Sequence, residues 1–323
     1  MSLILGLNTF HADASAVLLK NGIVIAAVEE ERFTRLKHWS GFPKQSIEWC
    51  FREAGIELND LDHICINTNP KKNTLRKIRY LLFNKPNISL YLERLKSRNR
   101  RSTLTEIFET EFDIKKSLIP KIHFIEHHYA HMSSAFYPSK YSNAAVLSID
   151  GFGDFSSTAW GRGEETRLFV DDQIFFPHSL GAFYTSITQF LGFPSYGDEY
   201  KVMGLAPYGK PKYLEELSDF LIIKNDGTYE LNQNYIYWQS NDKLSTSKGL
   251  PKIYTRYKNK LVDILGKSRG FNEDITQRHK DIASSLQKIY ESALFNLLNK
   301  IHDKYKLKNL CLAGGCAANS VAN

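Results

Sequence analysis

Two histidines four residues apart, His127 and His131, are followed by an aspartate, Asp150, at the end of the next apolar run. If residues 125–136 are helical, the two imidazoles share one face, because positions i and i+4 are neighbours on a helix. Asp150 would then complete a metal-binding corner of two nitrogens and one carboxylate. Taken alone, such a pair would more often be a helix cap or a satisfied core pair, so the surrounding motifs decide. His128 lies between the two histidines and would point elsewhere on the helix, so it stays outside the ligand set.

The elements that must position this corner can be read from period and punctuation. LILGLN, AVLL and GIVIAAV over residues 3–28 read as three strands, the last two joined by Lys20-Asn21-Gly22. Between the first two lies Asn8-Thr-Phe-His11-Ala-Asp13-Ala-Ser15, a polar loop that could line a phosphate pocket or be an ordinary Asx-capped turn. Residues 144–150 form a near-continuous apolar strand, Gly151-Phe-Gly153-Asp154 a tight turn, and FSSTAWGRG a returning strand. This repeats the N-terminal pattern about 140 residues later, which predicts an internal duplication of the kind seen in actin-like ATPases. The expectation is an α/β, actin-like (ASKHA, ribonuclease H-like) fold of two duplicated lobes, residues 1–140 and 141–323.

The remaining segments fill in that frame. A helix is expected from Pro43, with Ile47, Cys50, Phe51 and Ala54 on one face, then strands at 63–67 and 121–125. Residues 180–209 begin as an aromatic helix and end in a Gly- and Pro-punctuated stretch. There Asp198, Glu199 and Lys201 read as an exposed loop able to act as a lid or acceptor contact. The clearest helix runs over 274–303, with Ile282, Leu286, Ile289, Leu297 and Ile301 in its apolar stripe. A strand at 309–313 then meets Gly314-Gly315 and a small-residue helix start. Amides free of Cβ atoms could approach a phosphate there, and a helix dipole would favour the anion. No role is assigned to 222–270.

Composition bounds the rest. A 323-residue chain with 42% hydrophobic residues has ample material for a large core. Nothing approaches the roughly 18 to 20 apolar residues of a membrane helix, and the N-terminus lacks a secretory pattern, so a cytoplasmic protein is expected. Cys50, Cys65, Cys311 and Cys316 form no CxxC pair and read as reduced core residues. The net charge of +7 comes from residues 71–101, which hold eleven Lys or Arg and one acid, so the remainder carries about −3. The interleaved leucines and aromatics there predict a helical insertion over about 71–118 with a solvated basic face, rather than a nucleic-acid surface.

In order along the chain, HADASAVLLKNGIVIAAVEEERFTRLKH, HHYAHMSSAFYPS, LSIDGFGD, GDEYKVMGLAPYG and LAGGCAANSVAN closely resemble the carbamoyltransferase family of the NodU/CmcH/TobZ type. The main domain of these enzymes resembles the TsaD-like transferases. The resemblance runs from residue 3 to 323 and is weakest at 70–118 and 222–270. It implies that His127, His131 and Asp150 bind a divalent metal, and that His11 and Lys37 sit at the carbamoyl and phosphate end of the site. It also implies that Gly151, Gly153, Gly314, Gly315 and Asn319 belong to loops that hold nucleotide. By ligand type the metal could be iron(II), the first choice, zinc or manganese.

Such family members are longer. They carry a YrdC-like domain that makes carbamoyl-adenylate from carbamoyl phosphate and ATP, so this chain is expected to be the truncated N-terminal part of an O-carbamoyltransferase. The acceptor would be a hydroxyl of a sugar or other small natural product. A TsaD-like tRNA-modifying transferase and a non-catalytic nucleotide-binding module are the alternatives, and a homodimer is among the open oligomeric states. Metal analysis of the His127→Ala and His131→Ala variants would separate the nucleotide-binding module from both enzymes.

Overall fold

In the computed structural model, which describes residues 2–84, 104–238 and 254–323, one compact unit ends its main run at Glu126 and a second comprises His127–Trp238 and Thr255–Asn323. The division falls ahead of the boundary expected near residue 140, because the histidine helix packs on the second unit's sheet through Met132 and Phe136.

The first unit is built on a five-stranded sheet of order β3-β2-β1-β4-β5. β1 (Leu3–Asn8), β2 (Ser15–Lys20) and β3 (Ile23–Glu29) are antiparallel, while β4 (His63–Ile66) and β5 (Lys121–Phe124) run parallel to β1. Asn21 and Gly22 join β2 to β3 with φ of 52° and 82°, the two left-handed residues that a type I′ turn requires. A short turn of helix, α1 (Glu31–Thr34), leads to α2 (Lys44–Ala54). Helix α2 buries Ile47, Cys50 and Phe51 at i, i+3 and i+4 against Leu5, Leu18 and Ile64 of the sheet. α3 (Thr74–Asn84) follows, then α4 (Leu104–Phe112), which adds Leu104 and Phe108 to the same core. α3 opens the basic segment as expected, whereas residues 85–103 of the expected insertion lie outside the described residues.

The second unit repeats the plan. After α5 (His127–Phe136) come β6 (Asn143–Gly153), β7 (Ser156–Glu164) and β8 (Arg167–Phe175), an antiparallel meander. There follow α6 (Leu180–Phe190), α7 (Glu199–Leu205), α8 (Leu214–Ser218), the small hairpin β9 (Leu221–Ile223) and β10 (Tyr229–Leu231), α9 (Asn259–Leu265) and α10 (Gln277–Tyr305). β11 (Leu310–Ala313) joins β6 in parallel, giving the order β11-β6-β7-β8. In both sheets three meandering strands are extended by a parallel strand beside the first of them. This is the duplicated α/β architecture of the actin-like class that the repeated hairpins predict.

β6 is apolar throughout because both of its faces are covered. Ala144 and Val146 meet Met132 and Phe136 of α5, while Ala145, Leu147 and Ile149 join the core that holds α6 and α10. The stripe expected along α10 is buried, including Leu286, Leu297 and Ile301. Three local expectations differ. The sequence reading assigns no strand to β8, which the meander requires. Where an exposed loop is expected after Gly197, Asp198 is buried and its Oδ1 lies 2.6 Å from Lys201 Nζ, at the start of α7. Gly315–Ala318 forms a 3₁₀ turn rather than the first turn of an α-helix. Among the described residues no helix is long and apolar enough to cross a membrane.

Candidate metal centre

His127 opens α5, and the side chain of Asp154 fixes that start: its Oδ2 accepts the His127 backbone N–H at 2.9 Å. One helical turn on, His131 stands on the same face, and the two Nε2 atoms are 3.0 Å apart. Asp150 enters from β6 where regular pairing with β7 is interrupted between Ile149 and Gly153. The interruption frees Asp150 from the ladder, and its Oδ2 lies 2.9 Å from His127 Nε2 and 3.5 Å from His131 Nε2. The three sequence-predicted ligands therefore converge, with their donor atoms within 4.8 Å of one another.

The separations are close to those that donors sharing one ion would show. His127 Nε2 faces both an oxygen and a nitrogen, yet a neutral imidazole nitrogen carries at most one proton and cannot satisfy two lone pairs with it well. Two donors each about 2.1 Å from a common cation, at near-right or tetrahedral angles, lie about 3.0 to 3.4 Å apart. Burial would raise the Asp150 pKa, but its hydrogen bonds and charge interactions with His127 and His131 outweigh this and hold the carboxyl well below the usual range. Asp150 therefore stays ionised.

The glycines are part of this geometry. A Cβ on Gly153 would fall 2.0 Å from ring carbons of His127, so the β6–β7 turn can pass the imidazole only without a side chain. Gly314 has φ of +88°, and a Cβ there would lie 2.2 Å from the Ile149 carbonyl. Gly315 N lies 3.4 Å from Asp150 Oδ1, which brings the Gly-Gly turn to the carboxylate. At Gly151 an added Cβ would meet open space, and the Gly151 carbonyl accepts from Ser179 Oγ at 2.7 Å. Ser179 also caps α6 by accepting from Ala182 N. The side chain of Asn319 is committed to a reciprocal amide pair with Gln287, both bonds at 3.0 Å.

His128 sits apart, fully buried, with Nδ1 2.8 Å from Ser148 Oγ. Burial, reinforced by the neighbouring His127, lowers its pKa to about 4, which keeps it neutral. His11 and Lys37 belong to the first unit. His11 lies on the β1–β2 loop with Nδ1 3.2 Å from the Ala12 carbonyl, and Lys37 is exposed in the segment after α1. Sequence reasoning missed Asp154 and Ser179 as supports of the corner. The signal for Asp154 is its place at the end of Gly151-Phe-Gly-Asp; for Ser179 no sequence signal distinguishes it from an ordinary N-cap.

Compared with known proteins, the chain matches over residues 3–323 the family model described as the carbamoyltransferase N-terminus. Protein sll1178 of Synechocystis is 38% identical over 100% of this chain and 52% of its own length. The nodulation protein NolNO of Sinorhizobium fredii is 36% identical over 98% of this chain and 42% of its own length. The chain thus spans about half the length of these relatives. Among solved structures, HypF of T. kodakarensis is similar with a TM-score of 0.40 at 14% identity, covering 99% of this chain and 42% of that one.

Proposed function

The chain belongs to the carbamoyltransferase family, of which it represents the N-terminal part, and we propose that it carries the transfer site of an O-carbamoyltransferase. The observation that supports this reading is the His127–His131–Asp150 corner, built inside the family match from donors spaced for a divalent ion. Iron(II) is the first choice for that ion, with zinc and manganese as alternatives. When bound it supplies a Lewis acid toward phosphate or carbamoyl oxygens.

The donor in this proposal is carbamoyl-adenylate, formed from carbamoyl phosphate and ATP in a YrdC-like domain of the longer protein. Transfer forms a bond between the acceptor hydroxyl oxygen and the carbamoyl carbon and breaks the mixed-anhydride bond from that carbon to the AMP oxygen. His11 takes the hydroxyl proton and Lys37 balances the anionic charge of the donor, roles that typically contribute rate factors on the order of 10² to 10⁴ for acid–base work. Gly151, where an added Cβ would meet open space, can bring its backbone to the nucleotide, and Gly153, Gly314 and Gly315 shape the turns beside it by packing against His127, Ile149 and Asp150. Asn319, held by Gln287, fixes the shape of the loop that follows them. The acceptor is a hydroxyl of a small molecule such as a sugar.

The test is to supply the protein from the complete reading frame with ATP, divalent metal, carbon-labelled carbamoyl phosphate and a panel of hydroxylated acceptors. Pyrophosphate release with label appearing on an acceptor hydroxyl is expected, and acceptor labelling should fall by at least about 100-fold in His11→Asn while pyrophosphate release, which belongs to the YrdC-like domain, persists. Absence of pyrophosphate and of any labelled acceptor would overturn the proposal.

A further inference from the structure

Along α5, His128, Met132 and Phe136 recur every fourth residue and all three are buried. The strand beneath offers a matching row, in which the alternate residues Ala144, Val146 and Ser148 lead to Asp150. Met132 and Phe136 meet Ala144 and Val146 through apolar contact, which has no preferred direction and lets a helix shift along a strand at little cost. His128 departs from that pattern. Its Nδ1 lies 2.8 Å from Ser148 Oγ, and both residues are fully buried.

Ser148 is a fixed point, paired in mid-sheet with Ala159 of β7 on one side and Ala313 of β11 on the other. His128 directly follows His127, and Ser148 stands two residues before Asp150. One directional bond thus joins the helix that carries two corner residues to the strand that carries the third. Asp154 holds the same helix by its first backbone N–H, so the two contacts together fix where α5 starts and how it lies along β6. The bond adds little to stability. His128 Nε2 is buried and has no hydrogen-bond partner among the described residues, so the imidazole gives up its water for a single bond. An apolar pair of similar size would hold helix to strand about as well. Such a pair would lack register, and donors that share one ion must be placed to within about 0.5 Å.

We propose that His128 and Ser148 are positioning residues that set the register of α5 on β6, so that His127 and His131 meet Asp150. The inference rests on the reading of that corner as a metal centre. Neither residue touches the ion, and their effect is read in how tightly the corner holds it.

The test compares zinc(II) affinity of the 323-residue chain, by competition with a chromophoric chelator, with urea unfolding of the metal-free chain. His128→Leu/Ser148→Ala removes both polar partners at once, so it should unfold at about the wild-type urea concentration yet bind zinc about 10- to 100-fold more weakly. His128→Asn, whose amide can reach Ser148 from the place of Nδ1, should recover most of that affinity. Zinc affinity in His128→Leu/Ser148→Ala equal to wild type, with His127→Ala/His131→Ala weaker than both, would overturn the inference and leave the corner in place. A loss of affinity matched by a lower unfolding midpoint, and not repaired in His128→Asn, would mark an ordinary core pair and overturn it too. If wild type binds zinc no better than His127→Ala/His131→Ala, the corner itself fails as a metal site and this inference falls with it.

Discussion

Gly153 has no side chain because His127 occupies the space, with ring carbons 2.0 Å from where a Cβ would stand. Gly153→Ala must therefore displace either the β6–β7 turn or the imidazole, at a cost of about 2 to 3 kcal/mol in stability. Urea denaturation should show that loss, and the variant should also retain less metal than wild type. Gly151→Ala, where an added Cβ meets open space, should change neither by much. At this scale the convergence of the corner's three residues is legible in sequence because helical spacing and the end of an apolar strand fix where they point. Asp154 and Ser179 are less so, since a cap acts through backbone groups that the sequence does not order. Asn319 is legible as part of a motif, but its reciprocal pairing with Gln287, thirty-two residues away along the chain, is set by packing alone.

Among the elements, α10 is the support of the second unit, and one of its polar residues ties a loop to it. Asp281 is buried and accepts from Lys210 N at 2.9 Å and Gln277 Nε2 at 2.8 Å, with Lys212 Nζ at 3.0 Å. The backbone bond from Lys210, then those from Gln277 and Lys212, lower its pKa to about 2. The folded state therefore favours the ionised form. Its contribution is complete above pH about 4, where the unfolded chain is also ionised, and is lost as the pH falls toward 2. Asp281→Asn should cost about 1 to 2 kcal/mol at pH 7, and the gap from wild type should close in denaturation curves taken near pH 2 to 3. The stripe of α10 is evident from its 3.6-residue period. β8 is not, because Asp171 and Asp172 interrupt its apolar positions and only pairing with β7 makes it a strand. The Gly-Gly turn shows the opposite error, since a glycine pair after a strand permits a helix without requiring one, and here a 3₁₀ turn forms.

For the molecule as a whole, the repeated hairpin in the sequence carries the fold. Each hairpin becomes the antiparallel half of a sheet, and each sheet is extended by a parallel strand that arrives much later in the chain. That order follows from two short loops whose turn residues and strand lengths are local signals. The division between units is less legible, because α5 precedes the sheet on which it packs. The family match covers residues 3–323, and the chain spans about half the length of the relatives it matches, so the complete reaction stays within the proposal while the metal corner can be tested on this chain alone.

The central claim is that the corner of the second unit is where the protein holds its ion. Metal retained after desalting, measured by plasma mass spectrometry on iron(II)-loaded chain, tests it most directly. His127→Ala, His131→Ala and Asp150→Asn should each lose one equivalent relative to wild type, while His38→Gln, on the first unit, should leave that tightly held equivalent in place. Equal retention by wild type and all three corner variants would contradict the claim.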